Sequence, residues 1–292
     1  MADATRDPVT GTVTTGHEWN GIEELDTPIP RVVLFFLTVT TLFAIGYWLL
    51  MPAWPLGVTY TKGLLGIDQR RVVAEQVRDA AAERASWTAK IDKASFAEIA
   101  ADPALMRHVR DTGRTLFEDN CAVCHGVQGK GGPGFPNLAA GSWLWGGSPE
   151  AIAQTIRVGI NGTAKDTRTG QMMAFGRDGI LQREQVLAVA SYVRSLSGQK
   201  LDAAEQARIP AGKEVFAANC VACHGAEGKG QHDLGAPDLT DASWIYGGDL
   251  QSVVNSIHGG RQGQMPSWEG RLSPTDIKLL ALYVGTLGEA KR

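Results

Sequence analysis

The chain has 292 residues, with 28 Lys and Arg against 31 Asp and Glu and a formal net charge of -3. That length leaves room for about two domains, and the absence of a basic excess gives no reason to expect a nucleic-acid partner. All 4 cysteines fall in two copies of one short motif, so none is left for a stabilising disulfide and cysteine usage does not itself report an oxidising compartment.

In chain order, residues 1–30 form a polar N-terminal segment, expected on the cytoplasmic side. From Val32 to Trp54 run 23 residues without a charge, enough to cross a hydrocarbon core that needs ~20. Residues 31–54 are therefore expected to be a transmembrane helix, with Tyr47, Trp48 and Trp54 as an interfacial aromatic belt. A polar stretch precedes this run and no A-x-A site follows it, so a retained anchor is expected rather than a cleaved signal. Residues 55–107 read as a charged linker. Val72, Val73, Val77, Ala80, Ala81, Arg84 and Trp87 suit an amphipathic helix that acts as a spacer or rests on a partner.

From His108 onward the chain repeats itself, giving two expected domains, 108–198 and 199–292. GRTLFEDNCAVCHGVQGKG (Gly113 to Gly131) matches GKEVFAANCVACHGAEGKG (Gly212 to Gly230) at a constant offset of 99. FPNL and APDL follow in step, then SWLWGG and SWIYGG. Both copies close on a helical pattern, EQVLAVASYVRSL (Glu184 to Leu196) and TDIKLLALYVGTL (Thr275 to Leu287). C-x-x-C alone is a redox or zinc spacing, but C-x-x-C-H is the attachment signature for c-type haem. Two thiols add to the haem vinyl groups while the adjacent His ligates the iron. The pairs are 95 residues apart, against ~15–20 in a two-pair zinc site. Cys121, Cys124 and His125, and Cys220, Cys223 and His224, are thus expected to hold two covalently bound haem c groups, with His125 and His224 as iron ligands.

An iron that carries electrons without doing chemistry needs a sixth ligand, and the soft thioether of methionine stabilises the reduced state. TGQMMAFG (Thr169 to Gly176) and QGQMPSW (Gln262 to Trp268) supply candidates at matching places. Aligning Gln171 with Gln264 pairs Met172 with Met265 and leaves Met173 at the slot of Pro266, so Met172 is preferred to Met173. His258 competes with Met265 but aligns with Arg157, a position more suited to a propionate or surface contact. His17, His108 and His232 are read as non-ligands. Trp143, Trp145, Trp244 and Tyr246 fit either a haem edge or plain core packing.

These residues resemble class I cytochrome c domains, and the resemblance covers both copies almost end to end. It implies an all-α fold in which a first helix carrying G-x-x-x-F crosses a last helix carrying Y-V-x-x-L. The implied pairs are Gly113 and Phe117 with Tyr192, and Gly212 and Phe216 with Tyr283. It also implies that each ligating His donates its other ring nitrogen to a proline carbonyl, Pro136 in FPNL and Pro237 in APDL; such a partner fixes ring orientation and basicity.

GHEWNGIEELDTPIPR directly before the apolar run, A-W-P after it, a charged spacer and tandem haem motifs together resemble the dihaem subunit of cbb3-type cytochrome c oxidase, the CcoP or FixP type. The resemblance implies an electron relay rather than a catalytic chain. A soluble or membrane-tethered cytochrome c would reduce one haem, and electrons would pass to a monohaem cytochrome c subunit and then to a haem-copper catalytic subunit that reduces oxygen. Orientation is contested within the sequence: Arg31 precedes the span while Lys62, Arg70 and Arg71 follow it, which favours a cytoplasmic C-terminal part. Covalent haem attachment outside the bacterial inner membrane outweighs that margin, so the haem domains are expected in the periplasm on a single-pass anchor. Charge adds a hint about docking. Residues 108–198 hold 9 Lys and Arg against 7 Asp and Glu, and residues 199–292 hold 9 against 11, so the second copy would better attract a basic donor. The alternative is a membrane-anchored dihaem carrier serving another periplasmic or membrane redox complex.

Overall fold

The computed structural model describes residues 5–288. The chain divides into two compact units, one ending at Glu83 and the other starting at Arg84. Apart from one small two-stranded sheet the described residues are helical or irregular.

In the first unit, β1 (Thr14–Trp19) and β2 (Ile22–Leu25) form an antiparallel hairpin. Asn20 and Gly21 make its turn at φ 52° and 85°, the left-handed pair that two-residue hairpins favour. Helix α1 (Arg31–Leu50) follows, with none of its residues buried. It is long and apolar enough to span a membrane, and the lack of any buried residue along it is unlike the core helix of a water-soluble protein. Thr38 and Thr40 return their hydroxyls to the Leu34 and Phe36 carbonyls, both at 2.8 Å, which matches those two donors inside the helix. The helix ends four residues short of the expected Trp54, because Pro52 pushes Met51 into extended backbone (ψ 157°). The chain then folds back, and the Leu64 and Leu65 amides reach the Leu49 and Leu50 carbonyls at 2.9 and 3.1 Å, satisfying groups a helix end leaves open.

Helix α2 (Gln69–Lys93) continues into the second unit, which adds α3 (Phe96–Ala101), α4 (Pro103–Asn120), the one-turn α5 (Ala122–His125), α6 (Pro149–Val158), α7 (Arg183–Leu196), α8 (Ala203–Asn219), the one-turn α9 (Val221–His224), α10 (Leu250–Gly259) and α11 (Pro274–Thr286). The expected linker does not stop short of the core. Ile91, Ile99 and Leu105 are buried with Val109, Leu279 and Leu282. Lys278 Nζ donates to the Ile91, Asp92 and Ala94 carbonyls at 2.9–3.0 Å, capping the α2 C-terminus with a cation.

The helix pairing differs from the one expected within each copy. Gly113 and Phe117 of α4 lie not on Tyr192 but on Tyr283 of α11: a Cβ at Gly113 would stand 2.7 Å from that of Tyr283, and the Phe117 and Tyr283 rings are 5.7 Å apart. Gly212 and Phe216 of α8 meet Tyr192 of α7, whose ring is 5.3 Å from Phe216. The notch and knob are the same in both copies, so packing chemistry does not choose between the two arrangements. The connection does. Only residues 197–202 separate α7 from α8, and so short a loop makes the two helices antiparallel neighbours. A buried ion pair between Arg194 and Glu205 pins the hairpin, Arg194 also donating to the Gly248 and Lys200 carbonyls at 3.0 and 3.3 Å. With α7 seated on α8, α11 takes the place left open on α4.

Two lobes result. Residues 108–158 and 262–288 surround Phe117, with Ile152, Ile156, Trp268, Ile277 and Leu280; residues 159–261 surround Phe216, with Phe175, Val186, Val189, Val253 and Ile257. The chain changes lobe at Gly159 (φ 69°) and again at Gly260 (φ 70°), where a Cβ would strike the Met265 and Met172 carbonyls respectively.

Candidate haem sites

Each lobe builds the same site. Helix α4 runs to Asn120, Cys121 closes it, and the single turn α5 carries Cys124 and His125 before Gly126 breaks it. Cys220, Cys223 and His224 stand in the same relation to α8 and α9. All four cysteines are free thiols, with Cys124 and Cys223 exposed. Burial, and then the neighbouring thiol, push Cys121 and Cys220 up to about 11. A reactive or metal-binding cysteine would be lowered instead. Among the described residues no group of three or more His, Cys, Asp or Glu gathers to hold a metal ion.

His125 Nδ1 lies 3.3 Å from the Pro136 carbonyl and His224 Nδ1 lies 3.2 Å from that of Pro237. Each contact leaves Nε2 as the ring nitrogen able to bind iron. Burial lowers both histidines below their ordinary pKa, partly opposed by the proline carbonyl, which favours the neutral imidazole a metal needs.

The methionines sit across the repeat. Met265 packs in the Phe117 lobe together with Cys121, Ala122, Leu138 and Trp143, whereas Met172 packs in the Phe216 lobe with Cys220, Val221, Leu239 and Trp244. Backbone pairs fix both loops. Ile160 and Met265 exchange hydrogen bonds of 2.9 Å in each direction, and Met172 and Arg261 exchange bonds of 2.8 and 3.0 Å. Met173, next to Met172, is 53% exposed. His258 is exposed and lies against Gly176, away from the Phe117 cluster that contains Met265. His108 stacks on Trp87 at 4.5 Å, and His17 is in the N-terminal hairpin, 4.0 Å from Glu24.

Two pairs were not legible beforehand: Arg168 lies over the Trp145 ring at 5.1 Å and Arg261 over Tyr246 at 4.1 Å. The sequence signal was there, because each arginine precedes its Q-M by three residues. Among the described residues two buried donors, Arg168 Nε and Trp244 Nε1, have no protein partner. Buried donors rarely stay unpaired, and the carboxylates of a haem are acceptors that would match them. Thiols, imidazole, thioether and open donors together fit c-type haem.

Three family models match the chain: the N-terminal domain of cytochrome oxidase-cbb3, FixP, over residues 11–58; cytochrome c over 111–197; and cytochrome c oxidase, cbb3-type, subunit III, over 207–284. The chain is similar along its length to curated relatives. It is 48% identical over 298 aligned positions, 100% of both chains, to the cbb3-type cytochrome c oxidase subunit FixP of Bradyrhizobium sp. (strain ORS 278). It is 44% identical over 300 positions, again 100% of both, to subunit CcoP of Azospirillum sp. (strain B510). To subunit CcoP of Cereibacter sphaeroides it is 44% identical over 94% of each chain. The anchor helix, the paired cytochrome c sites and these end-to-end matches agree, and the chain belongs to the FixP/CcoP family of cbb3-type cytochrome c oxidase subunits.

Proposed function

We propose that the chain relays single electrons in a cbb3-type oxidase through two covalent haems, one on Cys121, Cys124 and His125, the other on Cys220, Cys223 and His224. The observation that carries this is the duplicated constellation: in each lobe a histidine is oriented by a proline carbonyl, and the first cysteine of the same motif shares one core with a methionine. When bound, haem iron supplies a one-electron couple. The protein's own part is to hold and tune that couple. The thiols would anchor the haem, Pro136 and Pro237 orient the imidazoles that would bind its iron, and the methionines would hold the iron against water and peroxide. Packing places Met265 with Cys121 and Met172 with Cys220, so Met265 would serve the haem held by His125 and Met172 that held by His224, each methionine serving the haem of the other copy.

The lobes lie on the periplasmic side of a single-pass inner-membrane anchor, where covalent haem attachment takes place. Electrons enter from a soluble or tethered cytochrome c and leave to a monohaem subunit, which serves the haem-copper subunit that reduces oxygen. The charge contrast between sequence halves does not carry over to the lobes. Regrouped by packing, residues 108–158 with 262–288 hold 6 Lys and Arg against 6 Asp and Glu, and residues 159–261 hold 10 against 11. Any electrostatic preference for a donor is therefore local.

The test is to purify the tagged chain from detergent-solubilised native membranes and record reduced-minus-oxidised and carbon-monoxide difference spectra. The expected result is two haem c per polypeptide with a co-purifying haem b that binds carbon monoxide. Haem c alone would overturn the oxidase relay in favour of an anchored carrier.

A further inference from the structure

We propose that the two haem sites are divided between a fixed and a mobile partner: the His125 site sits against an apolar, charge-poor surface of a redox subunit in the same membrane, and the His224 site is the open port for a basic soluble carrier. The inference deepens the relay described above and rests on it. Its source is a comparison of the two segments that run from the haem cysteines to the N-cap of the next helix, Cys121 to Ser148 and Cys220 to Asp249. Each packs against the core of its own lobe, and the two touch where the Gly134 amide donates to the Ile245 carbonyl and Ser142 Oγ donates to Ser243 Oγ, both at 2.8 Å; the faces compared are the exposed ones.

The first segment carries a single Lys, Arg, Asp or Glu, Lys130; the second carries Glu227, Asp233, Asp238, Asp241 and Asp249 against Lys229. The first also exposes Val123 (91%), Val127 (60%) and Phe135 (42%). At the matching positions the second has Ala222, Ala226 and Ala236, and its one exposed large aliphatic is Leu234. Val123 and Ala222 each adjoin the exposed cysteine of their motif, so these side chains flank the place where the ring is tethered at the surface. An apolar, nearly uncharged rim suits an interface that stays closed, because obligate contacts are the more hydrophobic ones. An acidic rim suits an encounter that is steered, fast and reversible. The charge complement of the second segment is a basic protein; that of the first is a surface without charge.

The experiment uses the full-length chain in its native membrane complex. Val123→Asp with Val127→Asp is expected to keep both haems and the far-red methionine-to-iron absorption, yet to lower co-purification with the carbon-monoxide-binding haem b at least about tenfold. Reduction of the chain by a basic mitochondrial-type cytochrome c, and its ionic-strength dependence, are expected to stay unchanged. The triple alanine variant of Val123, Val127 and Phe135, which copies the second segment, is expected to show the same loss to a smaller degree. Glu227→Lys with Asp233→Lys is expected to do the reverse, slowing reduction at low salt and flattening its salt dependence while association holds. The proposal is overturned if the Asp variants remain fully associated, or if the Lys variants release the complex. A wild-type complex that passes no electrons from the cytochrome to haem b overturns the relay itself, and this assignment with it.

Discussion

His125 and His224 each meet a proline carbonyl eleven and thirteen residues further on, and these two contacts were legible in the sequence because they are local. Histidine, proline and both cysteines lie within one short stretch of chain, so spacing carries the information. The methionines are different. The expectation of Met172 and Met265 over Met173 and His258 was drawn from the repeat, but both copies would offer the same chemistry to either iron, and no spacing says which one would be served. Spectra can decide. In a full-length chain carrying Cys220→Ala and Cys223→Ala, which keeps a single haem on Cys121 and Cys124, Met265→His should abolish the methionine-to-iron absorption in the far red, and Met172→His should spare it. The opposite result would restore ligation within each copy. Trp244 offers a second test: its indole N–H is buried without a protein partner, so Trp244→Phe should shift the midpoint potential of one haem and leave the other in place, as a redox titration with two components would reveal.

Helices α4 and α11, and α7 and α8, are paired by connection rather than by complementarity, and this is why the sequence pattern predicted the first and last helix of each copy but not their partners. Double-mutant cycles separate the two arrangements. Phe117 with Tyr283 should show a coupling of about 0.5–1.5 kcal/mol, whereas Phe117 with Tyr192 should be additive in chemical denaturation. The Arg194–Glu205 pair holds the α7–α8 hairpin with both side chains buried (10% and 6% exposed). Glu205→Ala should therefore cost about 3–5 kcal/mol, most of it from stranding the guanidinium, and a loss below about 1 kcal/mol would remove the ion pair from the account. Two other elements were misjudged for traceable reasons. The Asn20-Gly21 turn is a strong hairpin signal, but it lies in a polar segment whose strands lack a buried face. Counting uncharged residues carried the anchor past Pro52, whereas the helix obeys the proline and stops at Leu50.

At the scale of the molecule, a fold class of helical cytochrome domains behind one anchor was legible, and the exchange between the lobes was not, because it is a property of topology that no window of sequence contains. It makes the second unit hard to divide. Cleavage at Lys200, exposed between α7 and α8, should leave the two fragments together on a native gel with both haems retained, since each lobe contains helices from either side of the cut. Fragments that drift apart would argue against the exchange. The crossings at Gly159 and Gly260 also set an order of completion. Residues 159–261 make up one whole lobe as an uninterrupted stretch, a cytochrome rewired so that its ligand loop and last helix come before its haem-attachment turn. The other lobe is split into a beginning and an end around it. As the chain emerges from its N-terminus, the lobe encoded second is finished first, and the C-x-x-C-H turn met first waits for the final stretch of protein to close its lobe.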